Sequence, residues 1–235
     1  MNAFLTAQHI LTIGHRGARA HAPENTLVGF HTALELGADG IELDVRLAAD
    51  GVPVVIHDAR VDRTTNGQGR VSEMTAAQLA TLDAGVHEGR TARIPALDDV
   101  FNAFGADTLY NVELKGITAG IELPRAVIAC VKTHGLAGRV LISSFNVALL
   151  WHCQSLAPDI PTGYLFGEGV PRLPFVRGEA WHPHHASVDA ALVAQAPRVH
   201  AWTVNDRAAI IQMKTLGVHA IITDYPDRVR DVLHA

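Results

Sequence analysis

Three carboxylates fall within short apolar runs, where charged side chains are costly to bury. Glu42 and Asp44 lie two residues apart in one run, and Glu113 lies in a later run. Side chains two apart on a strand share a face, and ionised acids that face one another need a cation or a proton between them. Three oxygen ligands without sulfur suit a hard cation, so the pattern predicts a Mg²⁺ or Ca²⁺ site. The structural alternative is buried ion pairs, Glu113 with Lys115 and Glu42 with Arg16.

Two of the 14 histidines, His15 and His57, end different apolar runs and could face each other across a bound group. A pair of imidazoles, one neutral and one charged, can accept and donate protons in one displacement. Arg16 follows His15, and Lys115 ends the strand that carries Glu113; both would supply positive charge for an anion, most naturally a phosphate. A surface or packing role is the alternative for any single histidine, and it is the preferred interpretation for the other twelve.

Eight short apolar runs, which read as buried parallel strands, alternate with segments of helical spacing. They cover residues 10–13, 40–47, 109–114, 140–143, 160–166, 186–188, 199–204 and 220–223. The helical segments include 26–36, 123–134 and 208–216, each followed by glycine. This alternation predicts an α/β fold of the (β/α)8 TIM-barrel type, in which catalytic side chains lie at the carboxyl ends of the strands. The rival doubly wound sheet would need a glycine-rich phosphate loop, which residues 15–19 do not form.

One stretch interrupts the alternation after the second strand. It contains a second strand-like run at 52–57, a turn at Asn66-Gly67 and a short helix near residues 76–82. We therefore predict a small insertion at about residues 59–95, placed on the catalytic face of the barrel. Because there is no linker or low-complexity tract, residues 1–235 are expected to form a single domain.

The composition excludes several classes of protein. Hydrophobic residues make up 48% of the 235 residues, which is enough for a packed core. The 19 basic residues against 24 acidic ones give a net charge of −5, so nucleic acid is not an expected partner. No signal peptide and no run of about 18 apolar residues is recognisable, so we expect no membrane insertion and a cytoplasmic location. The two cysteines, Cys130 and Cys153, suit a reducing compartment.

An ordered series of short motifs extends from residue 15 to residue 226. The motifs are His15-Arg16-Gly17, Pro23-Glu24-Asn25-Thr26, Glu42-Leu43-Asp44-Val45, Asp50-Gly51-Val52-Pro53-Val54-Val55-Ile56-His57-Asp58, Arg63-Thr64-Thr65-Asn66-Gly67, Ile94-Pro95-Ala96-Leu97, Asn111-Val112-Glu113-Leu114-Lys115, Ser143-Ser144-Phe145-Asn146, Trp202-Thr203-Val204-Asn205 and Thr223-Asp224-Tyr225-Pro226. Together they resemble the glycerophosphodiester phosphodiesterase family, in its cytoplasmic bacterial type. Each motif alone is weak, whereas the ordered set is specific.

The resemblance implies a TIM barrel that uses one divalent cation, Mg²⁺ or Ca²⁺, to split glycerophosphodiesters. The products are glycerol 3-phosphate and an alcohol, and the chemistry is general acid–base catalysis by two histidines. By matching position, the resemblance implies three sets of site residues. They are the metal ligands Glu42, Asp44 and Glu113, the acid–base pair His15 and His57, and the phosphate-binding residues Arg16 and Lys115. The expected partner is a small glycerophosphodiester, and an oligomer is compatible with the sequence.

Several residues have two interpretations each. By resemblance, Glu24 and Asn25 brace the metal site, whereas Asn25 or Thr26 could instead cap the first helix. Trp202 could pack in the barrel top or form an apolar wall for the glycerol carbons. Asp224 could orient a catalytic residue, but a cap on the last helix is preferred.

The sixth strand region, residues 181–185, is rich in histidine. His182 or His184 could reach the substrate or lie in an exposed loop. Cys130 and Cys153 fall on helical segments and are expected to be small core residues.

Two other functions compete with the hydrolase on the same scaffold, and the sequence favours neither. A lysophospholipase D or a sphingomyelinase-D-like hydrolase needs an apolar groove for an acyl chain, and the polar insertion offers none. A catalytically silent barrel that binds phosphate esters would have lost a histidine or an acid, and none is lost.

Overall fold

The computed structural model describes residues 1–116, 120–167, 169–173 and 178–235. Its strands are β1 (Leu11–Gly14), β2 (Gly40–Leu47), β3 (Pro53–Val55), β4 (Asp83–His87), β5 (Arg90–Arg93), β6 (Leu109–Leu114), β7 (Val140–Ser144), β8 (Thr162–Phe166), β9 (Ala180–Pro183), β10 (His200–Ala201) and β11 (Ala220–Thr223). Its helices are α1 (Ala3–Thr6), α2 (Leu27–Glu35), α3 (Ala76–Leu79), α4 (Leu97–Phe104), α5 (Glu122–Thr133), α6 (Val147–Leu156), α7 (Ala190–Gln195), α8 (Arg207–Leu216) and α9 (Pro226–Leu233). None of these helices is both long and apolar enough to cross a membrane.

Eight parallel strands form a nearly closed barrel. Neighbouring strands follow the order β10-β11-β1-β2-β6-β7-β8-β9. Two isolated parallel bridges, Trp181 with Val199 and His184 with Trp202, connect β9 to β10 and close the circle. The predicted (β/α)8 barrel is therefore confirmed, and its strand ends meet at one rim, where the site is expected.

The alternation of side chains along β2 separates the core from the site. Ile41, Leu43 and Val45 are fully buried in the main apolar cluster between strands and helices. Because successive side chains on a strand point to opposite faces, Glu42 and Asp44 must point into the barrel. The same pattern applies on the neighbouring strand β6, where Asp44 pairs directly with Glu113.

The insertion after β2 has a small core of its own. Strand β3 runs antiparallel to β2 and is followed by α3 and by the hairpin β4–β5. Its buried apolar residues are Ala48, Val54, Ile56, Val61, Val71, Leu79, Ala84 and Ile94. The amide of Ile56 donates to the carbonyl of Asp44 at 2.9 Å, which carries the chain onward to His57 at the rim of the barrel.

The sixth barrel strand is β9, and the expectation of a strand at 186–188 is wrong. Residues His185–Ser187 form a 3₁₀ turn instead. A search for apolar runs misses this strand, because the strand contains the inward-facing His182 and ends at Pro183. The residues that the structure describes between β8 and β9, namely 167, 169–173 and 178–179, contain no helix.

Neither His182 nor His184 lines the cavity at the carboxyl ends of the barrel strands. His182 is fully buried, and its ring lies directly over Gly163, whose missing side chain leaves room for it. Burial lowers the pKa of His182 to about 3, so the ring is neutral. The His184 ring packs edge-on against Trp202, with 5.2 Å between ring centroids. His182 is therefore an interior packing residue rather than a substrate or loop residue.

Candidate active site

A cavity of about 220 Å³ opens at the carboxyl ends of the barrel strands. It is lined by His15, Arg16, Glu42, His57, Asn111, Glu113, Lys115, Phe145, Leu165, Trp202 and Ile222. The fold thus brings together seven of the ten residues expected from the sequence. The other three, Asp44, Glu24 and Asn25, contact the lining residues from behind.

The three carboxylates form one buried cluster. Glu42, Asp44 and Glu113 each offer an oxygen atom, and these atoms lie within 4.8 Å of one another. Burial, with the charges of Asp44 and Glu113, raises the pKa of Glu42 well above its ordinary value. Burial also raises the pKa of Glu113, to about 7. Among the described residues, Glu42 Oε1 has no hydrogen-bond partner, so the cluster fits a hard cation.

Two positively charged side chains lie beside these acids. Lys115 Nζ is 3.1 Å from Asp44 Oδ1 and also contacts Glu113 Oε1, while Arg16 Nε is 3.2 Å from Asp44 Oδ2. Burial would raise the pKa of Asp44, but Lys115 and Arg16 hold it well below its ordinary value. The ion pair of Glu113 with Lys115 is therefore present. Glu42 instead accepts a hydrogen bond from the backbone N–H of Arg16 at 2.9 Å.

The loop after β1 supports this cluster from below. Arg16 and Asn25 both have positive φ angles, 53° and 56°, and the Asn25 amide donates to the Arg16 carbonyl at 3.0 Å. The Asn25 side chain donates to Asp44 Oδ2 at 2.8 Å. Thr26 caps α2, because its hydroxyl accepts from the amide of Gly29. The two interpretations of this motif thus apply to different residues, with Asn25 at the cluster and Thr26 at the helix.

His15 is oriented by a carboxylate from the far end of the chain. Its Nδ1 lies 2.7 Å from Asp224 Oδ1, and Asp224 Oδ2 accepts from the Asn205 side chain at 2.8 Å. Burial would raise the pKa of Asp224, but the bond to His15 lowers it. The ionised carboxylate can only accept, so Nδ1 carries the proton and Nε2 is left for chemistry. The preferred interpretation of Asp224 as a cap on α9 is wrong, because its two carboxylate oxygens bind His15 and Asn205 instead.

His57 is oriented in the same way by its neighbour in sequence. Its Nδ1 lies 2.6 Å from Asp58 Oδ1, and Arg63 Nε donates to Asp58 Oδ2 at 2.6 Å. The hydrogen bond from Arg63 holds the pKa of Asp58 well below its ordinary value. Burial lowers the pKa of His57, although Asp44 acts in the opposite direction. A neutral His57 with its proton on Nδ1 can accept a second proton at Nε2.

Arg63 connects the insertion to the loop after β1. Besides Asp58, it donates to Glu24 through Nη1 at 3.0 Å and through Nη2 at 2.7 Å. Glu24 in turn accepts from Arg16 Nη1 at 3.0 Å. Arg63 opens one of the sequence motifs, but nothing in the sequence alone assigns it a role. The role of Asp58 could have been predicted, since Asp58 directly follows His57 in the sequence.

One wall of the cavity is aromatic. The rings of Phe145 and Trp202 meet edge-on at 90°, with 5.4 Å between centroids. Trp202 Nε1 donates to the carbonyl of His182 at 2.7 Å, which fixes the indole. Lys115 Nζ lies 5.9 Å from the centre of the Phe145 ring. Trp202 therefore both packs in the barrel top and lines the cavity, and its contact with glycerol carbons stays a prediction.

These features define a class of enzyme, a barrel hydrolase whose cavity combines an acidic cluster, two cations and two oriented histidines. The chain belongs to the glycerophosphoryl diester phosphodiesterase family, whose model matches residues 15–228. It is therefore a phosphoric diester hydrolase, and the family resemblance read from its motifs is confirmed.

Relatives and solved structures agree with this assignment. The chain is 40% identical over 230 residues to a glycerophosphodiester phosphodiesterase of Caldanaerobacter subterraneus, covering 92% of this chain and 95% of the relative. An Oleispira antarctica phosphodiesterase, solved in complex with the product sn-glycerol-3-phosphate, is 30% identical with a TM-score of 0.89 and full coverage of both chains. The glycerophosphodiester phosphodiesterase of Agrobacterium tumefaciens is also 30% identical, with a TM-score of 0.82 and coverage of 94% and 99%.

Proposed function

We propose that this protein hydrolyses glycerophosphodiesters to glycerol 3-phosphate and an alcohol, with a divalent cation and the His15–His57 pair. The observation that carries the proposal is the pairing of each histidine Nδ1 with an aspartate, at 2.7 Å and 2.6 Å, around one cavity. Two imidazoles held in one tautomer at the same cavity suit a reaction that needs one proton acceptor and one proton donor.

Glu42, Asp44 and Glu113 would hold the cation, Mg²⁺ or Ca²⁺. The supporting observation is the buried, unpartnered Glu42 Oε1, described above, within a cluster of oxygen atoms only. Such a cation, when bound, supplies charge neutralisation at the phosphate and lowers the pKa of a coordinated hydroxyl. The donor set fits a hard cation because it contains neither sulfur nor nitrogen.

The protein's own groups account for the rest of the reaction. Arg16 and Lys115 face the cavity and would bind the phosphate oxygens. His57, neutral because of its lowered pKa, would accept the proton of the nucleophile. His15, protonated at Nε2 as well as at Nδ1, would give its Nε2 proton to the departing alcohol. Either water or the glycerol 2-hydroxyl can act as the nucleophile in this arrangement, and Trp202 would contact the glycerol carbons.

A panel of three diesters tests the proposed substrate. The protein is incubated with glycerophosphocholine, glycerophosphoethanolamine or lysophosphatidylcholine in the presence of Mg²⁺ or Ca²⁺. We expect glycerol 3-phosphate from the first two and little product from the third, because the polar insertion offers no surface for an acyl chain. Release of lysophosphatidic acid as the dominant activity would contradict the proposal. A sample in EDTA serves as the control for the cation, and full activity there would exclude metal dependence.

A cytoplasmic location is part of the same proposal. Both cysteines, Cys130 and Cys153, are free thiols, which suits a reducing compartment.

Replacing Arg63 should slow turnover although this residue lies outside the cavity lining. Without the Arg63 guanidinium, Asp58 and Glu24 lose the group that bridges them, and His57 loses its fixed orientation. We expect Arg63→Ala to lower kcat about tenfold with little change in KM. Arg63→Lys should recover only part of the loss, because an ammonium group cannot bind both carboxylates as a fork. Steady-state kinetics on glycerophosphocholine measures both constants.

Arg60 provides a matched control for this variant. It lies in the same insertion, is similarly exposed and pairs with the surface acid Asp62 at 3.0 Å. Arg60→Ala should therefore leave both kinetic constants unchanged. An Arg63→Ala enzyme that is destabilised but retains the wild-type kcat would show that Arg63 only holds the insertion in place.

A further inference from the structure

A second cluster of metal-ligating groups lies on the outside of the barrel. Asp98 on α4, Cys130 on α5 and His134 at the C-cap of α5 each offer one ligand atom, and these atoms lie within 4.8 Å of one another. The two helices cover the outer face of the barrel, so the cluster is separate from the catalytic cavity. It joins nitrogen, sulfur and oxygen donors, whereas the catalytic cluster holds oxygen donors only.

The helix geometry places two of these donors in register. Cys130 and His134 are four residues apart and the C-cap His134 keeps helical backbone angles, so their side chains lie one above the other at the end of α5. Asp98 reaches across from the first turn of α4, and its Oδ1 lies 2.8 Å from His134 Nε2. The donors of both helices therefore meet at the line where α4 and α5 pack together.

Neighbouring groups fix the orientation of the cluster. The His134 ring meets Phe101 edge-on, with 5.6 Å between centroids, and the Asn102 amide donates to Asp98 Oδ2 at 2.9 Å. The His134 side chain is 16% exposed and that of Asp98 is 60% exposed. The cluster is thus shielded on the histidine side and open to water on the aspartate side.

We propose that Asp98, Cys130 and His134 form a binding site for one Zn²⁺ ion or a similar borderline transition-metal ion. Zinc binds sulfur at about 2.3 Å and nitrogen or oxygen at about 2.0–2.2 Å, so its ligand atoms lie roughly 3–4 Å apart. The three donor atoms already approach this spacing, and small side-chain rotations complete it. Water from the open side fills the fourth position.

The same residues behave differently when no metal is bound. Burial and the nearby Asp98 raise the pKa of Cys130 to about 12, so the thiol keeps its proton. His134 and Asp98 then remain a simple hydrogen-bonded pair. On binding, the metal–sulfur bond replaces the S–H bond and the proton passes to solvent, while the His134–Asp98 bond opens to admit the ion.

Cobalt substitution tests the site in the full chain. The metal-free protein is titrated with Co²⁺ at about pH 7.5, and the near-ultraviolet charge-transfer absorption of a thiolate–cobalt bond is recorded. The catalytic carboxylates can also bind Co²⁺, but they contain no sulfur and give no such absorption. We expect the absorption to appear in the wild-type protein and to disappear when Zn²⁺ is added.

Variants separate the site from the rest of the molecule. Cys130→Ser should abolish the thiolate absorption, whereas Cys153→Ser, at the other free cysteine, should retain it. His134→Gln keeps the thiol and should weaken Co²⁺ binding at least about tenfold. All three should retain diester hydrolysis with Mg²⁺. No thiolate absorption in the wild-type protein, or the same absorption in Cys130→Ser, would overturn the proposal without affecting the proposed hydrolase function.

Discussion

Replacing either His15 or His57 by alanine should lower kcat for glycerophosphocholine by about 10³-fold while the fold survives. Each imidazole lines the cavity and is held by an aspartate through Nδ1. A water molecule can fill the space that the ring leaves, but it cannot reproduce a proton donor or acceptor at a fixed position. Steady-state kinetics measures the loss, and thermal unfolding shows whether the variants remain folded.

The two variants should differ when the leaving alcohol is changed. An acidic phenol departs without protonation, so a glycerophosphodiester of such a phenol no longer needs a general acid. Because the lowered pKa of His57 favours it as the base, we expect the His15→Ala enzyme to recover most of its rate on this substrate. The His57→Ala enzyme should not recover. The reverse pattern would exchange the two roles.

His31 supplies a matched control for these substitutions. It is a surface histidine on α2, 64% exposed and paired with the helix acid Glu35. His31→Ala should leave kcat and KM unchanged. If His15→Ala or His57→Ala turned over glycerophosphocholine at a rate near that of His31→Ala, the acid–base pair would be wrong.

The carboxylate cluster is predictable because strand geometry is local and regular. The spacing of Glu42 and Asp44 fixes their common face without any knowledge of the rest of the chain. Glu113 follows from the barrel, since neighbouring parallel strands carry their ends to the same rim and the register pairs it with Asp44. The barrel itself follows from the alternation of apolar runs with helical segments.

The partners of the histidines are harder to predict because they depend on side-chain packing between distant segments. His15 and Asp224 are 209 residues apart in sequence. An aspartate just before a helix is a favourable N-cap, so local reasoning prefers that role. In the folded chain the closure of β1 onto β11 brings Asp224 to His15, and this contact prevails. The hydrogen bonds from Arg63 to Glu24 also depend on the packing of distant segments, so the sequence does not predict them.

The sixth strand shows a different limit of the pattern. Apolar runs identify strands that pack against apolar side chains on both faces, but the interior of this barrel also holds polar side chains. His182 fills the space above Gly163, a contact between neighbouring strands that no periodicity encodes. A histidine at this position resembles a functional residue in the sequence and is a packing residue in the structure.

Removing the charge of Glu42 should abolish the response of the protein to its divalent cation. Glu42 is 3% exposed, and burial together with Asp44 and Glu113 opposes its ionisation. A cation at about 100 times its Kd stabilises the folded state by about 2.7 kcal/mol. For a chain of this size that gain corresponds to a rise of roughly 5–10 °C in Tm. We expect this rise for the wild-type protein with Mg²⁺ or Ca²⁺ and none for Glu42→Gln.

The metal-free form of the same variant separates binding from folding. Glutamine keeps the shape of the side chain and removes a charge that the site repels, so the Tm of metal-free Glu42→Gln should be no lower than that of the metal-free wild type. Glu35→Gln, at a surface acid that is 66% exposed, should keep both the Tm rise and the activity. A Glu42→Gln protein that still gained stability from the cation would remove Glu42 from the ligand set. If the expected results hold instead, Glu42 adds no stability to the metal-free protein and contributes only when the cation is bound. Such a carboxylate has a functional role rather than a structural one.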